Sequence, residues 1–163
     1  MDKLFLDTTY ILPILGVKVE LRDYTKYFPK VYSFYETYYS PISLIEAKWI
    51  IIKIIKNLKN IEYRQKLLYE YRSGLNLLIN DDKLRQSTLT NSLIEELADQ
   101  LWEFGIKDYF DRMIYATASY YRAILVTEDK QLHRIYEESF KLKFRPKDII
   151  NWDELKTRLE EKL

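Results

Sequence analysis

The stretch from Lys107 to Arg134, KDYFDRMIYATASYYRAILVTEDKQLHR, limits the possible folds more than any other part of the chain. Asp108 to about Arg122 places Ile114, Ala118 and Tyr121 at three- and four-residue steps, the period of a helix with one buried face. Ala123 to Thr127, AILVT, is a short apolar run that fits a strand buried on both sides. Glu128 and Asp129 then end the run with two carboxylates. A buried parallel strand that ends on an acid delivers it to the carboxyl edge of the sheet, where open α/β folds bind ligands. The rest of the chain can be tested for partners to Asp111 and Asp129.

Lys3 to Leu6 is a second apolar strand running into an acid, Asp7. Thr8 and Thr9 read as caps for a short helix over Tyr10 to Leu15, which Pro13 opens and Gly16 closes. A helix is expected around Arg22 to Phe28 and a strand over Glu36 to Pro41. The tyrosines of Val31 to Ser40 read as half-buried packing, with stacking on RNA bases as the alternative. Ser43 and Glu46 fit a capping box at the start of a long helix through about Asn57. Lys48, Lys53 and Lys56 leave that helix only a thin polar face, so a protein interface is expected there. A second helix, weakened locally by Gly74, is expected over Glu62 to Ile79. A turn at Asn80 to Asp82 and a short strand over Leu84 to Leu89 follow. A helix from Thr90–Ser92 to near Gly105 then leads into the central stretch. After it come a helix over Lys130 to Ser139, a last strand over Phe140 to Phe144, and a helix over Glu154 to Lys162 capped by Asp153. Strands separated by helices argue for a parallel sheet covered on both faces. With 163 residues and 47% hydrophobic content, the whole chain, 1–163, is expected to be one domain.

The net charge of +1 predicts no global attraction to nucleic acid or anionic membrane, so any nucleic-acid contact must come from a local patch. The chain has no cysteine, which excludes disulfides and thiolate metal sites. Its single histidine, His133, argues against multi-histidine zinc sites and a two-histidine ribonuclease mechanism. No signal-peptide pattern or membrane-length apolar run is present, and a cytoplasmic location is the expectation.

Asp7 and Asp129 end strands, while Asp111 and Glu46 begin helices, so one sheet edge can gather all four. Carboxylates crowded together repel, and some would stay protonated. A hard divalent cation relieves that conflict, and an all-oxygen donor set favours Mg²⁺ or Mn²⁺. Such ions activate water and stabilise charge on a phosphodiester during in-line displacement. Each acid also has a purely structural reading. Asp108 reads as a helix cap, Asp111 as a first-turn acid favoured by the helix dipole, Asp129 as a cap for the next helix, and Glu46 as half of a capping box.

Four segments resemble motifs of the PIN-domain nucleases, especially the VapC-type toxins of toxin–antitoxin pairs. FLDTTYILPIL resembles that family's opening strand and first acid, SPISLIEA its second acidic motif, KDYFDRMIYATA its third and ILVTEDKQL its fourth. The order and rough spacing hold over nearly the whole chain. The resemblance implies a three-layer α/β/α fold around a mostly parallel sheet. It assigns metal binding and catalysis to Asp7, Glu46, Asp111 and Asp129, with Thr9, Asp108 and Thr127 as supporting positions. It further implies metal-dependent RNA cleavage leaving 5′-phosphate and 3′-hydroxyl ends, and a VapB-type antitoxin partner. Val17 to Ser40 and Leu58 to Asp82 match no motif.

Arg112, Arg134 and His133 flank the expected site and can contact phosphate, as can Lys107 and Lys130. The plainer reading makes them solvated helix faces. The leading expectation is a Mg²⁺- or Mn²⁺-dependent endoribonuclease, a homodimer and the toxin of a toxin–antitoxin pair. The alternatives are a nuclease of RNA processing and a non-catalytic PIN-like module that binds RNA or protein. A phosphoryl-transfer enzyme with Asp7 as nucleophile is a third, but Thr9 stands where its Asp-x-Asp-x-Thr pattern needs a second acid.

Overall fold

The computed structural model describes residues 1–138 and 145–163. Among these, in order, are β1 (Asp2–Leu6), α1 (Thr8–Ile11), α2 (Tyr24–Phe34), β2 (Tyr35–Tyr39), α3 (Pro41–Asn57), α4 (Ile61–Ile79) and β3 (Leu84–Gln86). They are followed by α5 (Ser92–Glu103), α6 (Tyr109–Tyr120), β4 (Ile124–Val126), α7 (Lys130–Glu138), β5 (Asp148–Ile150) and α8 (Trp152–Glu160). The strands form one sheet in the order β3-β2-β1-β4-β5, and every pairing is parallel.

Alternation along β1 divides the core. Leu4 and Leu6 pack on one face with Val31, Tyr71, Leu155 and Leu159, from α2, α4 and α8. Phe5 packs on the other with Leu97, Leu101, Ile114 and Leu132, from α5, α6 and α7. The expected three-layer α/β/α arrangement with a parallel sheet is therefore the observed one. From β1 the chain winds outward through β2 to β3, then returns to lay β4 on the other side of β1. The β1–β4 boundary is thus the switch point, where the loops leave the sheet in opposite directions and open a crevice.

Several boundaries differ from the expected ones. α2 continues to Phe34 with Pro29 inside it, so β2 starts at Tyr35. The cap of α3 is Ser40, whose hydroxyl accepts from Ile42 N–H at 3.2 Å, while Pro41 supplies a pre-set first helical residue. Ser43 is buried inside the helix and Glu46 is not part of a capping box. Asp7, not a threonine, caps α1, and Pro13 follows that helix in a turn ending at Gly16 with φ +85°. Asn151 rather than Asp153 caps α8, in a reciprocal box with Glu154. The expected strand at Phe140 to Phe144 lies outside the described residues, and β5 at Asp148–Ile150 pairs with β4.

Candidate active site

The register places Leu6 opposite both Tyr39 and Val126, so β2, β1 and β4 end level with one another. Asp7 is the first residue past β1. Its N–H continues the ladder to the Val126 carbonyl at 3.1 Å. Its carboxylate accepts from Thr8 N–H through Oδ1 and from the Thr127 hydroxyl through Oδ2, both at 2.6 Å. Asp7 is 8% exposed. Burial pushes its pKa up, the two hydrogen bonds pull it down, and the charges of Asp129 and Glu128 push it up again; the net shift is upward.

Glu46 lies in the second turn of α3 and accepts a hydrogen bond from the Thr8 hydroxyl. Burial is the main cause of its raised pKa; Thr8 opposes it, Asp7 and Asp108 add to it, and Lys53 offsets part. Asp111 lies in the first turn of α6, where Asp108 caps the helix by accepting from Phe110 N–H (2.8 Å) and Asp111 N–H (3.2 Å). The Asp111 pKa is pushed up to about 7, first by burial and then by the charges of Asp108, Asp7, Asp129 and Glu46. Asp129 sits between β4 and α7. Its N–H donates to the Thr127 hydroxyl at 3.1 Å, and its Oδ1 accepts from Leu132 N–H at 2.8 Å.

Asp7, Glu46, Asp111 and Asp129 line one cleft of about 310 Å³, together with Thr8, Thr9, Leu12, Ile50 and Glu128. Among the described residues, no Lys or Arg forms an ion pair with any of the four acids. The cleft therefore concentrates carboxylates with little local compensation, at the switch point of a parallel sheet.

The other expected positions are placed as follows. Thr9 lines the cleft. Thr127 is fully buried and ties Asp7 to Asp129. Asp108 is an exposed cap whose charge reaches Asp111 and Glu46. The Arg112 guanidinium lies 4.9 Å from the Trp102 ring centroid and 5.5 Å from that of Tyr109, and it donates to Ala98 O at 3.4 Å. It is packed on aromatics and is not part of the cleft wall. Arg134 lines a neighbouring hollow. His133 Nε2 lies 2.9 Å from Thr127 O; a carbonyl can only accept, so this nitrogen carries the proton.

Two residues have site roles that their local sequence does not show. Thr8 has the sequence context of a cap, yet it bridges Asp7 and Glu46, contributing its N–H to one and its hydroxyl to the other. Glu128 has the context of a strand breaker. It accepts from Tyr10 OH (2.5 Å) and Trp152 N–H (2.8 Å), joining α1 to α8. Tyr10 is held neutral by burial and by Glu128, so it remains a donor. The sequence signal for Thr8 is its place directly after a strand-end acid. Glu128 has no local signal, because its partners lie 118 and 24 residues away.

The donor set fits a hard divalent cation: carboxylates, hydroxyls and no thiol, with the imidazole committed to a carbonyl. Among the described residues, however, no three acid or imidazole side chains are drawn together into a ready ligand group.

An all-parallel α/β protein with an acid-lined cleft at its switch point is the class that fold and site define. The chain belongs to the PIN domain family, whose profile matches residues 4–138. Members of that family are typically nucleases and generally use divalent metal ions. Among solved structures the chain is similar to VapBC2 from Rickettsia felis bound to a DNA fragment from its promoter. The TM-score is 0.55 and the identity 20%, over 91% of this chain and 98% of that one. At that identity the likeness speaks to the fold. No curated protein sequence matches the chain.

Proposed function

We propose that this protein is a metal-dependent endoribonuclease that hydrolyses RNA phosphodiester bonds, with Asp7, Glu46, Asp111 and Asp129 holding Mg²⁺ or Mn²⁺. The observation that carries the reading is the convergence of these four acids, drawn from four separate elements, on one cleft with no ion-pair partner among the described residues. A bound divalent cation would supply charge stabilisation for the phosphodiester and acidify the attacking water. The chain's own residues do the rest. Thr127 and Thr8 hydrogen-bond Asp7 and Glu46, fixing carboxylates that would otherwise rotate apart. Burial and the charges of its neighbours raise the Asp111 pKa in the cation-free cleft, a cost that a bound divalent cation would relieve.

The proposed physiological setting is the toxin of a toxin–antitoxin pair, acting as a homodimer with a VapB-type partner. The structural similarity to a VapBC complex and the exposed apolar face of α3 support it. Ile45 and Trp49 are 48% and 55% exposed beside a groove of about 470 Å³ between α3 and α4.

The decisive experiment assays purified protein on RNA with Mn²⁺, alongside Asp7→Asn and Asp129→Asn. Each variant should lose cleavage by at least about a hundredfold while retaining the wild-type circular dichroism spectrum. Undiminished cleavage by either folded variant would remove that acid from the mechanism.

A further inference from the structure

A cleft lined by carboxylates repels the polyanion it is proposed to cut. Some cationic surface must hold the strand close enough for one phosphate to enter. The chain's near-zero net charge cannot provide this globally, so it must be local.

A second hollow, of about 320 Å³, adjoins the acid cleft and shares Glu128 with it as a common wall. Its other lining residues are Lys130, His133, Arg134, Glu137 and Asn151. Among the described residues, Lys130 and Arg134 have no ion-pair partner. Asn151 has its amide oxygen occupied by Glu154 N–H at 2.9 Å, so what remains to it is a pair of N–H donors. His133 gives Nε2–H to Thr127 O, which leaves Nδ1 as its second polar atom. Of the two carboxylates, Glu128 is engaged by Tyr10 and Trp152, and Glu137 is exposed at the end of α7. Both donors on the dividing carboxylate reach its Oε1.

We propose that this second hollow holds the phosphate next to the scissile one, with Lys130, Arg134 and Asn151 donating to its oxygens. The strand then crosses Glu128, and its path out of the acid cleft runs along the start of α7. His133 is a positioning residue in this arrangement. Its bond to Thr127 O ties the helix bearing Lys130 and Arg134 to the segment that orients Asp7 and Asp129. The proposal rests on the nuclease reading for the location of the scissile phosphate. It adds a substrate subsite outside the four-acid cluster.

The test compares wild type with the Lys130→Ala/Arg134→Ala double variant, and uses Lys59→Ala as a remote-charge control. Two readouts are needed: cleavage of a dinucleotide and of a long single-stranded RNA with Mn²⁺, and RNA binding by fluorescence anisotropy across a salt series with Ca²⁺. A dinucleotide carries only the scissile phosphate. The double variant should therefore cut it as wild type does, while KM for the long RNA rises at least about tenfold with kcat little changed. The salt slope of binding should fall by about 0.7 for each phosphate that is no longer neutralised. Lys59→Ala should change neither readout.

If wild type cuts RNA and the double variant matches it on both substrates and in salt slope, the subsite is wrong and the nuclease stands. Equal losses on the dinucleotide and the long RNA, or an equal effect of Lys59→Ala, also overturn the subsite. If wild type cuts nothing but binds RNA with a slope that the double variant reduces, the nuclease reading falls and the hollow stands as an RNA phosphate site. Absence of both cutting and binding removes both.

Discussion

Thr8 shows how much of the site rests on one short side chain. It closes α1 onto Asp7 and donates its hydroxyl to Glu46, so it fixes two carboxylates from different elements relative to one another. Thr8→Val keeps the shape and removes the hydroxyl. Cleavage is expected to fall about 10–100-fold, the usual effect of losing a group that orients a metal-binding side chain. The assay is kcat/KM with Mn²⁺ against wild type. Asp111 makes a different prediction, about stability. Its pKa rises from 3.8 to about 7 on folding, so between these values the folded chain keeps a proton that the unfolded chain has released. By linkage, the cation-free protein loses stability as pH rises through this window, and the raised pKa values of Asp7 and Glu46 act in the same direction. Asp111→Asn should flatten the dependence and give a higher Tm than wild type above about pH 7, by roughly 2–4 °C per kcal/mol of repulsion relieved. Thermal melts in chelator across this range measure it; a wild type whose Tm rises with pH through the window would contradict a protonated Asp111 in the folded chain.

Helix α4 and the turn after α1 meet so closely that a methyl group would not fit. A Cβ built at Gly74 would lie 1.9 Å from Ile14 O and 2.8 Å from Ile14 C, both backbone atoms that cannot swing aside. By helix propensity alone, Gly74 is a weak point, costing about 1 kcal/mol relative to Ala. The packing reverses that reading: Gly74→Ala should destabilise by about 1–3 kcal/mol, through overpacking, despite alanine's better helix propensity. Urea unfolding at constant m-value decides the sign. The long α3 teaches a related lesson. Its start is set by Ser40 and Pro41, one turn earlier than the Ser43-to-Glu46 pattern suggests. That shift leaves Ser43 facing inward and takes Glu46 out of a capping role, into the cleft.

Across the molecule, cation binding by the four acids, as proposed, would make folding and cation binding one linked equilibrium. Ligands that bind only the folded state stabilise it by RT ln(1 + [L]/Kd), so Mn²⁺ at about a hundred times its Kd adds about 2.7 kcal/mol. Wild type should therefore melt several degrees higher with Mn²⁺, and the shift should shrink sharply in Asp7→Asn and Asp129→Asn. Equal shifts in wild type and variants would place the cation elsewhere. Differential scanning calorimetry at fixed pH makes the comparison without any RNA substrate.

What the chain order alone makes legible are features carried by neighbours in sequence. AILVT and KLFL read as buried strands because unbroken apolar runs fit a sheet covered on both faces. Their terminal acids read as a ligand edge because a parallel strand must end there. Asp108 reads as a cap because its partners lie two and three residues ahead. The placement of Asp7, Asp111 and Asp129 follows from strand ends and a helix start, and that of Glu46 only from the resemblance of its segment to a PIN-domain motif. Contacts between distant segments have no such trace. Nothing local joins Tyr10 to Glu128, Thr8 to Glu46, or Gly74 to Ile14, and nothing near Arg112 foretells that Trp102, from the preceding helix, packs against it. The physical reason is that periodicity and capping act over one or two turns of chain. Strand order and helix packing, by contrast, bring together side chains separated by up to about the length of the protein.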